Sequence, residues 1–320
     1  MRHVRHVLVL AGGLSHERDV SLRSGRRVAD ALTHSGDQAD VRDVDAALLG
    51  AISSSRPEVI WPVLHGATGE DGALRDVLGT LGIAYVGSRP ASCRLTWDKP
   101  VAKALVRAAG ISVPAGVALS HATFRELGAP ALLQSVIDSL GLPLVVKPTR
   151  GGSALGLTIV RSAAQLPFAM VTAYAYGEVA MIEQFVEGVE VAVSIVEDDQ
   201  GEAQTLPAVE IVPDGGVYSY EARYTAGATE FFTPARLSSS AAISASTASL
   251  TAYRTLGHQH LSRVDLIIDA NERPWFLEAN VSPGMTETSL LPMAVEAAGL
   301  DAVEVYAGIV ERALKTHPGK

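Results

Sequence analysis

Two apolar runs near the carboxyl end of the chain, residues 264–268 and 275–279, flank the polar connector 269–274. Apolar runs of this length around a polar connector predict an antiparallel hairpin. In the symmetric register Ile268 pairs with Trp275. Because side chains alternate between the two faces of a strand, this register gathers four polar side chains on one face. They form two cross-strand pairs, Asp265 with Glu278 and Arg263 with Asn280.

Two carboxylates inside apolar strands need a counter-charge, because burial and mutual repulsion both disfavour a pair of ionised acids. One interpretation is a metal site, since Asp265, Glu278 and Asn280 supply the oxygen ligands that Mg²⁺ prefers, usually alongside substrate phosphates. The alternative is a structural ion pair in which Arg263 neutralises the acids. We favour the metal site, because residues upstream suit the other half of a nucleotide site.

The composition is that of a soluble globular protein. At 320 residues the chain exceeds the usual size of one domain, so we expect two or three compact units that share a cleft. Hydrophobic residues make up 48%, yet no apolar run reaches the roughly 18 residues that span a bilayer, so no membrane association is expected. A net charge of −9 without a basic stripe argues against nucleic acid as a partner. Cys93 is the only cysteine, which excludes an internal disulfide and indicates a reducing, cytoplasmic location.

Residues 6–90 alternate between strand-like and helix-like patterns, which predicts a small parallel α/β unit. Polar, glycine-containing loops at 12–17 and 65–72 follow two of its strands. The carboxyl ends of parallel strands are where ligands bind in such units. Glycines in these loops mostly serve the backbone turn, whereas a glutamate or histidine there more often contacts a substrate.

A strand predicted over 142–147 leads into the glycine-rich segment 148–156, and another strand follows over 157–160. Backbone N–H groups in such a turn can bind phosphates, with Lys147 as a point charge. The segment is not a Walker loop, because no Gly-Lys-Ser/Thr opens a helix. A plain hairpin turn is the alternative, although a lysine near the end of an apolar run is rarely buried without a role.

Three later segments complete the pattern. Residues 179–196 are predicted as two strands joined at 187–188, whose acids either bind adenine and ribose or are solvated edge residues. Residues 214–225 are polar and tyrosine-rich, as is typical of a long loop over a site. Residues 238–256 predict a helix that ends at Gly257. Its apolar residues at helical spacing are Ile243, Leu250 and Tyr253.

These motifs, in this order, resemble the D-alanine–D-alanine ligases of the ATP-grasp superfamily over nearly the whole chain. The matching segments are 12–22, 64–72, 98–99, 147–156, 263–265, 278–286 and 289–290. The resemblance implies an α/β protein with the ATP-grasp fold and three sub-domains. They are an N-terminal Rossmann-like parallel α/β unit over 1–95 with the first D-alanine site, a central sub-domain over 96–182 with the phosphate loop, and a C-terminal sub-domain over 183–320 with the metal site and an omega loop.

The resemblance also implies that ATP binds between the central and C-terminal sub-domains. Residues expected at the phosphates are Lys99 and Lys147. Residues expected at the adenine are Glu183, Gln184, Phe185 and Val186, with Glu190 at the ribose. Ser153 and Arg223 complete the expected nucleotide-binding set. Two Mg²⁺ ions, or Mn²⁺ in their place, are expected at Asp265, Glu278 and Asn280, the set that the hairpin register gives independently.

The amino-acid site follows from the same resemblance. Glu17 is expected to bind the ammonium of the first D-alanine, with His65 nearby, while Ser289 and Leu290 hold the carboxylate of the second amino acid. Arg263 and the backbone of Gly284 are expected to stabilise the oxyanion. Ser153 and Tyr224 are expected to link the glycine-rich loop to the omega loop and close the site. The family further implies a homodimer.

The implied reaction is ATP-dependent formation of D-alanyl-D-alanine for peptidoglycan. A carboxylate is a poor acyl donor, so the γ-phosphoryl group passes to the first D-alanine, and the amine of the second attacks the resulting acyl phosphate. Lysines and magnesium spread the phosphoryl charge, which requires no covalent enzyme nucleophile. Loop closure would protect the acyl phosphate from water.

Two residues depart from the family pattern. Ala154 stands where many relatives have a second serine, and Arg223 stands where they often have lysine. Arginine keeps the positive charge but is planar and bulkier. The departures bear on the phosphate loop and not on the reaction class, and Tyr224 favours an amino acid over a hydroxy acid such as D-lactate in the second site.

Two alternatives remain open. The first is a related ligase that joins another amino-acid pair, or a dedicated copy in antibiotic biosynthesis or D-cycloserine self-resistance. The second is a Rossmann-like binding or regulatory protein without ATP turnover, suggested by the glycine turn after the first strand. The first strand lacks a G-x-G-x-x-G motif and a following ribose-binding acid, which argues against the second alternative.

Overall fold

A parallel sheet forms the N-terminal part of the computed structural model, which describes residues 3–225 and 227–317. Its strands, in the order β2-β1-β3-β4, are β1 (His6–Leu10), β2 (Gln38–Arg42), β3 (Val59–Pro62) and β4 (Ala84–Tyr85). The helices of this part are α1 (Arg18–His34), α2 (Leu48–Ser55), α3 (Ala67–Glu70), α4 (Ala73–Thr80) and α5 (Pro90–Trp97). Strands β1 and β3 are almost wholly buried, as strands covered by helices on both faces must be. The predicted parallel α/β unit is confirmed.

A second, antiparallel sheet has the order β5-β8-β6-β7. Its strands are β5 (Gly116–Ser120), β6 (Leu144–Pro148), β7 (Thr158–Val160) and β8 (Val179–Gln184). The helices of this region are α6 (Lys99–Ala108), α7 (His121–Leu127), α8 (Ala129–Leu140) and α9 (Leu166–Tyr174), with a 3₁₀ turn at Ala163–Gln165. Strands β6 and β7 pair directly, so the glycine-rich segment between them is a hairpin connection at the sheet edge.

The third sheet contains the predicted hairpin and has the order β12-β11-β9-β13-β14, with β10 paired to β9. Its strands are β9 (Val189–Glu197), β10 (Ala203–Thr205), β11 (Val209–Pro213), β12 (Thr229–Phe232), β13 (Leu261–Ile268) and β14 (Pro274–Asn280). The helices are α10 (Tyr220–Tyr224), α11 (Ser239–Leu256), α12 (Leu290–Ala297) and α13 (Ala302–Thr316). No helix in the described ranges is long and apolar enough to cross a membrane.

The three sheets fall within the expected ranges 1–95, 96–182 and 183–320, except that β8 continues to Gln184. Their cores are shared unequally. Helix α13 covers the first sheet, where Tyr306 packs edge-on against Trp61 at 5.7 Å between ring centroids. Helix α6 lies in the central range but contributes Ala102 and Val106 to the core of the third sheet. The second sheet has a core of its own.

Four hydrogen bonds join the end of the first unit to the turn before β13. Gly257 O accepts from Ser92 Oγ at 2.7 Å, and Ser88 Oγ accepts from the Gln259 backbone at 3.2 Å. Two buried histidines make the others. His258 Nε2 lies 2.8 Å from Thr96 Oγ1, and His260 Nδ1 accepts from the Gly87 backbone at 2.9 Å. This junction fixes the first sheet against the third.

The register of the hairpin differs from the symmetric one at its turn. Near the site Asp265 lies opposite Glu278 and Arg263 opposite Asn280, as predicted. The predicted pairing of Ile268 with Trp275 is wrong, because Ile268 pairs with Pro274 and Ile267 with Trp275. The difference is a β-bulge at Leu277, which has no partner on β13. Leu277 and Glu278 consequently both line a cavity, although they are adjacent in sequence.

The Ser/Ala-rich segment forms the predicted helix, α11, and ends at Gly257 with a left-handed φ of +69°. Its buried face differs from the apolar pattern. Ile243 is 67% exposed, and alanines such as Ala245 and Ala252 lie against the sheet. Small residues allow the helix to approach the sheet closely, which a search for large apolar residues does not detect.

Candidate active site

Two connected cavities lie against the third sheet. The first, about 500 Å³, is lined by residues of the first unit and of the third sheet. The second, about 430 Å³, is lined by residues of the second and third sheets. Both are lined by six residues in common, Lys99, Gly151, Gly152, Tyr218, Arg223 and Glu278. The two cavities therefore adjoin at these residues.

The first cavity brings together the residues expected at the amino acids. Its lining includes Glu17, His65, Ser153, Arg263, Gly284, Ser289 and Leu290. Ser153 Oγ donates to Glu17 Oε1 at 2.5 Å, so the glycine-rich segment contacts the loop before α1. The side chain of Tyr224, the other expected member of this contact, lies outside the described part of the chain. Burial lowers the pKa of His65, and its buried Nε2 has no partner among the described residues.

The carboxylates of the hairpin have different counter-charges. Arg263 donates two hydrogen bonds to Asp265, at 2.7 and 2.8 Å, so the structural ion pair considered from the sequence is present. Glu278 instead lies 3.3 Å from the ammonium of Lys99. Burial raises the pKa of Glu278, but Lys99 and the cations around it outweigh burial and lower that pKa to about 2. Glu278 is therefore ionised at neutral pH.

The donor set on this face consists of two carboxylates and one amide. Asp265 and Glu278 are opposite each other, and Asn280 follows on the same face. Asn280 Oδ1 also accepts from the Ser282 backbone at 2.7 Å, which orients the amide. In the ranges 3–225 and 227–317 no three His, Cys, Asp or Glu side chains form a metal-binding group. Asp265, Glu278 and Asn280 offer oxygen atoms of the kind that a hard cation takes, and a cation held there would need further ligands such as phosphate oxygens.

The second cavity contains the residues expected at the nucleotide. Its lining includes Lys99, Lys147, Glu183, Gln184, Phe185, Val186, Glu190, Arg223 and Asp265. Glu183 is not free to bind a ligand with its whole carboxylate, because Lys147 pairs with one oxygen and Lys103 with the other. Burial raises the pKa of Glu190 to about 7.

The glycine-rich segment is held by charged side chains at the start of α6. Lys99 Nζ donates to Gly151 O at 2.6 Å, and Arg150 pairs with Asp98 at 3.0 Å. Ser153 and Ala154 both have left-handed backbone conformations, with φ of 52° and 56°. Such conformations are uncommon for residues other than glycine and here turn the segment toward the cavities.

Three site residues were not selected from the sequence. Lys103 pairs with Glu183. It follows Lys99 by one helical turn, and this spacing places both lysines on one face of α6, which was the available sequence signal. Glu70 accepts from the Gly66 backbone at 2.8 Å, and burial together with Glu17 raises its pKa to about 8. Tyr218 lies in the segment predicted as a loop over the site and stacks on Arg223 at 3.9 Å from the guanidinium carbon to the ring centroid.

Comparison with known proteins gives a consistent result. The family described as "D-ala D-ala ligase C-terminus" matches residues 105–311. A D-alanine–D-alanine ligase of Bordetella petrii is 39% identical over 310 residues, covering 97% of this chain and 92% of the relative. One of Gloeobacter violaceus is 38% identical, covering 96% and 99%.

Solved structures agree with this assignment. The VanG D-Ala:D-Ser ligase of Enterococcus faecalis superposes with a TM-score of 0.82 at 26% identity, covering 97% of this chain and all of that one. The D-alanine–D-alanine ligase of Bacillus anthracis complexed with ATP gives 0.80 at 27% identity, covering 98% of each chain. The three sheets are those of the ATP-grasp fold, and the chain belongs to the D-alanine–D-alanine ligase family.

Proposed function

We propose that this chain joins two D-alanines to D-alanyl-D-alanine at the expense of ATP, for the synthesis of peptidoglycan precursors. The observation that carries the proposal is the meeting of the two cavities at Lys99 and Glu278. One cavity has the acid and hydroxyl groups that suit an amino acid, and the other has the buried lysines that suit a nucleotide. The two relatives at 38% and 39% identity carry the name of this activity.

In the proposed reaction the carboxylate of the first D-alanine attacks the γ-phosphorus of ATP, which forms D-alanyl phosphate and releases ADP. The amine of the second D-alanine then attacks the acyl carbon, loses a proton and expels phosphate. Glu17 would bind the ammonium of the first D-alanine. Arg263 and the Gly284 backbone would stabilise the tetrahedral oxyanion, since preorganised donors act best where charge develops.

The second amino acid would bind where α12 begins. Ser289 precedes Leu290, the first residue of that helix, and Ser289 Oγ accepts from the Thr286 backbone at 3.0 Å. The backbone N–H groups of a helix's first turn have no partner within the helix and suit a carboxylate. The position of Ser289 and Leu290 at the start of α12 supports the proposal that they bind the carboxylate of the second D-alanine.

The donor set of the hairpin fits magnesium. Asp265, Glu278 and Asn280 offer oxygen atoms on one face beside the nucleotide cavity, and Glu278 is ionised at neutral pH. Bound Mg²⁺, for which Mn²⁺ can substitute, would neutralise the phosphate oxygens during transfer. Lys99 and Lys147, which line the same cavity, would act on the same charge. Glu190 would bind the ribose, and the segment Glu183–Val186 the adenine.

Closure over the cavities falls to the glycine-rich segment and to the segment 214–225, the proposed omega loop. Ser153 already contacts Glu17 across the sub-domain boundary, and we propose Tyr224 as its partner from the omega loop. Water excluded in this way cannot hydrolyse the acyl phosphate. We further propose the three sub-domains given above, a homodimer and a cytoplasmic location.

The first experiment measures phosphate release from ATP and Mg²⁺ with D-alanine, L-alanine, D-serine and D-lactate, with the products identified by mass. Release with D-alanine alone and a D-alanyl-D-alanine product supports the proposal. Formation of D-alanyl-D-serine at a comparable rate supports a second candidate, a ligase of the D-Ala:D-Ser type, which the VanG neighbour motivates. Binding of ATP without turnover on any substrate refutes the proposed reaction.

A further inference from the structure

A buried trio of charges lies behind the nucleotide cavity. Glu183 on β8 binds Lys147 on β6 through Oε1 and Lys103 on α6 through Oε2, each at 2.6 Å. All three side chains are at least nine-tenths buried. Two lysines share one carboxylate, so the trio has a net charge of +1 when all three are ionised.

The three members have different access to a ligand. Of these described side chains, Lys147 and Glu183 line the second cavity and Lys103 does not. Lys103 reaches Glu183 from helix α6, and its ammonium also lies 3.5 Å from Phe276 O on β14. It therefore touches the central sheet and the third sheet at once, and it affects a nucleotide through Glu183 and through its charge, without lining the cavity itself.

We propose that Lys103 is a positioning residue for the nucleotide, an inference that rests on the proposed function. Lys103 takes one oxygen of Glu183, which leaves Lys147 only partly neutralised and able to bind the polyphosphate. In its absence Glu183 and Lys147 form a neutral pair, and the cavity loses its surplus positive charge. An isolated buried ion pair holds its partners together strongly, because the low dielectric magnifies their attraction.

Lys103 also fixes the orientation of Glu183. A carboxylate that is ionised accepts hydrogen bonds and donates none. Held by two lysines, it can accept from the amino group of an adenine but is repelled by the carbonyl oxygen that hypoxanthine presents at the same position. Loss of Lys103 allows the carboxylate to turn toward Lys147, so the preference for ATP over inosine triphosphate falls.

The test uses direct binding measured by isothermal titration, with no amino acid present. Lys103→Met removes the charge at a similar side-chain length, and Lys103→Arg keeps it. The matched control is Arg107→Met, one turn later on α6, where the guanidinium donates to Pro114 O and not to Glu183. The ligands are ATP, inosine triphosphate and inorganic tripolyphosphate, the last of which has no base.

We expect Lys103→Met to weaken the binding of ATP and of tripolyphosphate by about tenfold or more, and Arg107→Met to change each by less than about twofold. Adding Glu183→Gln to Lys103→Met should restore tripolyphosphate binding, because Lys147 then loses its direct ion-pair partner. A merely structural role predicts no such recovery. Equal losses in Lys103→Met and Arg107→Met, or no recovery in the double variant, overturn the inference.

Two controls keep the outcomes separate. The thermal unfolding midpoint shows whether Lys103→Met folds. If it does not fold, the comparison is made with Lys103→Arg, which should bind ATP within about threefold of the parent. A loss of ATP binding in Lys103→Arg that Arg107→Met does not show overturns the inference. Because nucleotide binding requires no amino acid, failure of the proposed ligation leaves this test intact. A ligase that works as proposed but shows no effect of Lys103→Met refutes the inference alone.

Discussion

Acid should weaken the folded state through the two histidines at the junction between the first and third sheets. Burial lowers the pKa of His258 to about 3 and that of His260 to about 4. His260 must be neutral to accept from the Gly87 backbone through Nδ1. An unfolded histidine has a pKa of about 6.5. Below that value the unfolded chain binds protons that the folded chain does not, so the stability present above pH 6.5 is lost as the pH falls.

The size of the loss follows from the pKa values. The pKa of an unfolded histidine is about 1.5 units above pH 5, so its imidazole is protonated at that pH, whereas both folded imidazoles remain neutral. Each histidine then costs about 2 kcal/mol relative to pH 8, and the two together cost about 4 kcal/mol. A loss of that size is a large fraction of the stability of a typical domain.

Urea unfolding at pH 8 and at pH 5 measures this loss. The double variant His258→Gln/His260→Gln has no imidazole at the junction, so its free energy of unfolding should fall by about 4 kcal/mol less between the two pH values than that of the parent. The control is His34→Gln, at an exposed imidazole on α1, which should follow the parent. An equal fall in the double variant and the parent would refute the assignment of acid sensitivity to this junction.

Three further outcomes follow from the site and its supports. Glu278→Gln should lower phosphate release by about 10²-fold or more, because an ionised carboxylate is lost where the two cavities meet. A rate near that of the parent contradicts the role proposed for Glu278. Gly69→Ala should lower the thermal unfolding midpoint, because the added Cβ would lie 2.0 Å from Leu64 O. The control Gly79→Ala, whose Cβ would have no neighbour within 4 Å, should leave that midpoint unchanged or raise it slightly. Tyr218→Leu should weaken ATP binding by about 0.5–2 kcal/mol, because the stack on Arg223 is lost. Tyr218→Phe keeps the ring and should retain most of the affinity for ATP. Equal losses of affinity in the two variants, measured by titration, argue against a role for the stack.

Local pattern was sufficient for the parts of the site that depend on alternation and order along the chain. The opposition of Asp265 and Glu278 required only two apolar strands and a connector, and the loops with Glu17 and His65 required only the rule that ligands lie at the carboxyl ends of parallel strands. The Ser/Ala-rich helix was predicted for the same reason, since helical spacing survives in a weakly apolar segment.

Features that depend on tertiary contacts were missed. A bulge such as that at Leu277 adds one residue to a strand without a composition signal, so strict alternation would place Leu277 in the core and not in the nucleotide cavity. Lys103 was not identified from the sequence, because its partner Glu183 lies 80 residues away on strand β8. The alanine face of α11 became a core only because the third sheet covers it.

The bulge lies between the hairpin turn and the paired acids, and this position determines where the hairpin tolerates insertions and deletions. Strand β13 is aligned by β9 along its whole length, so the positions of Arg263 and Asp265 do not depend on the turn. A residue gained or lost in the connector 269–273 can be taken up at Leu277, where the ladder is already irregular. A residue gained between 278 and 280 has no such irregularity to absorb it and would turn Glu278 or Asn280 toward the core. Variants of this sequence can therefore differ in the length of the turn. Between the bulge and the end of β14, by contrast, both the number of residues and the side chains at positions 278–280 are constrained.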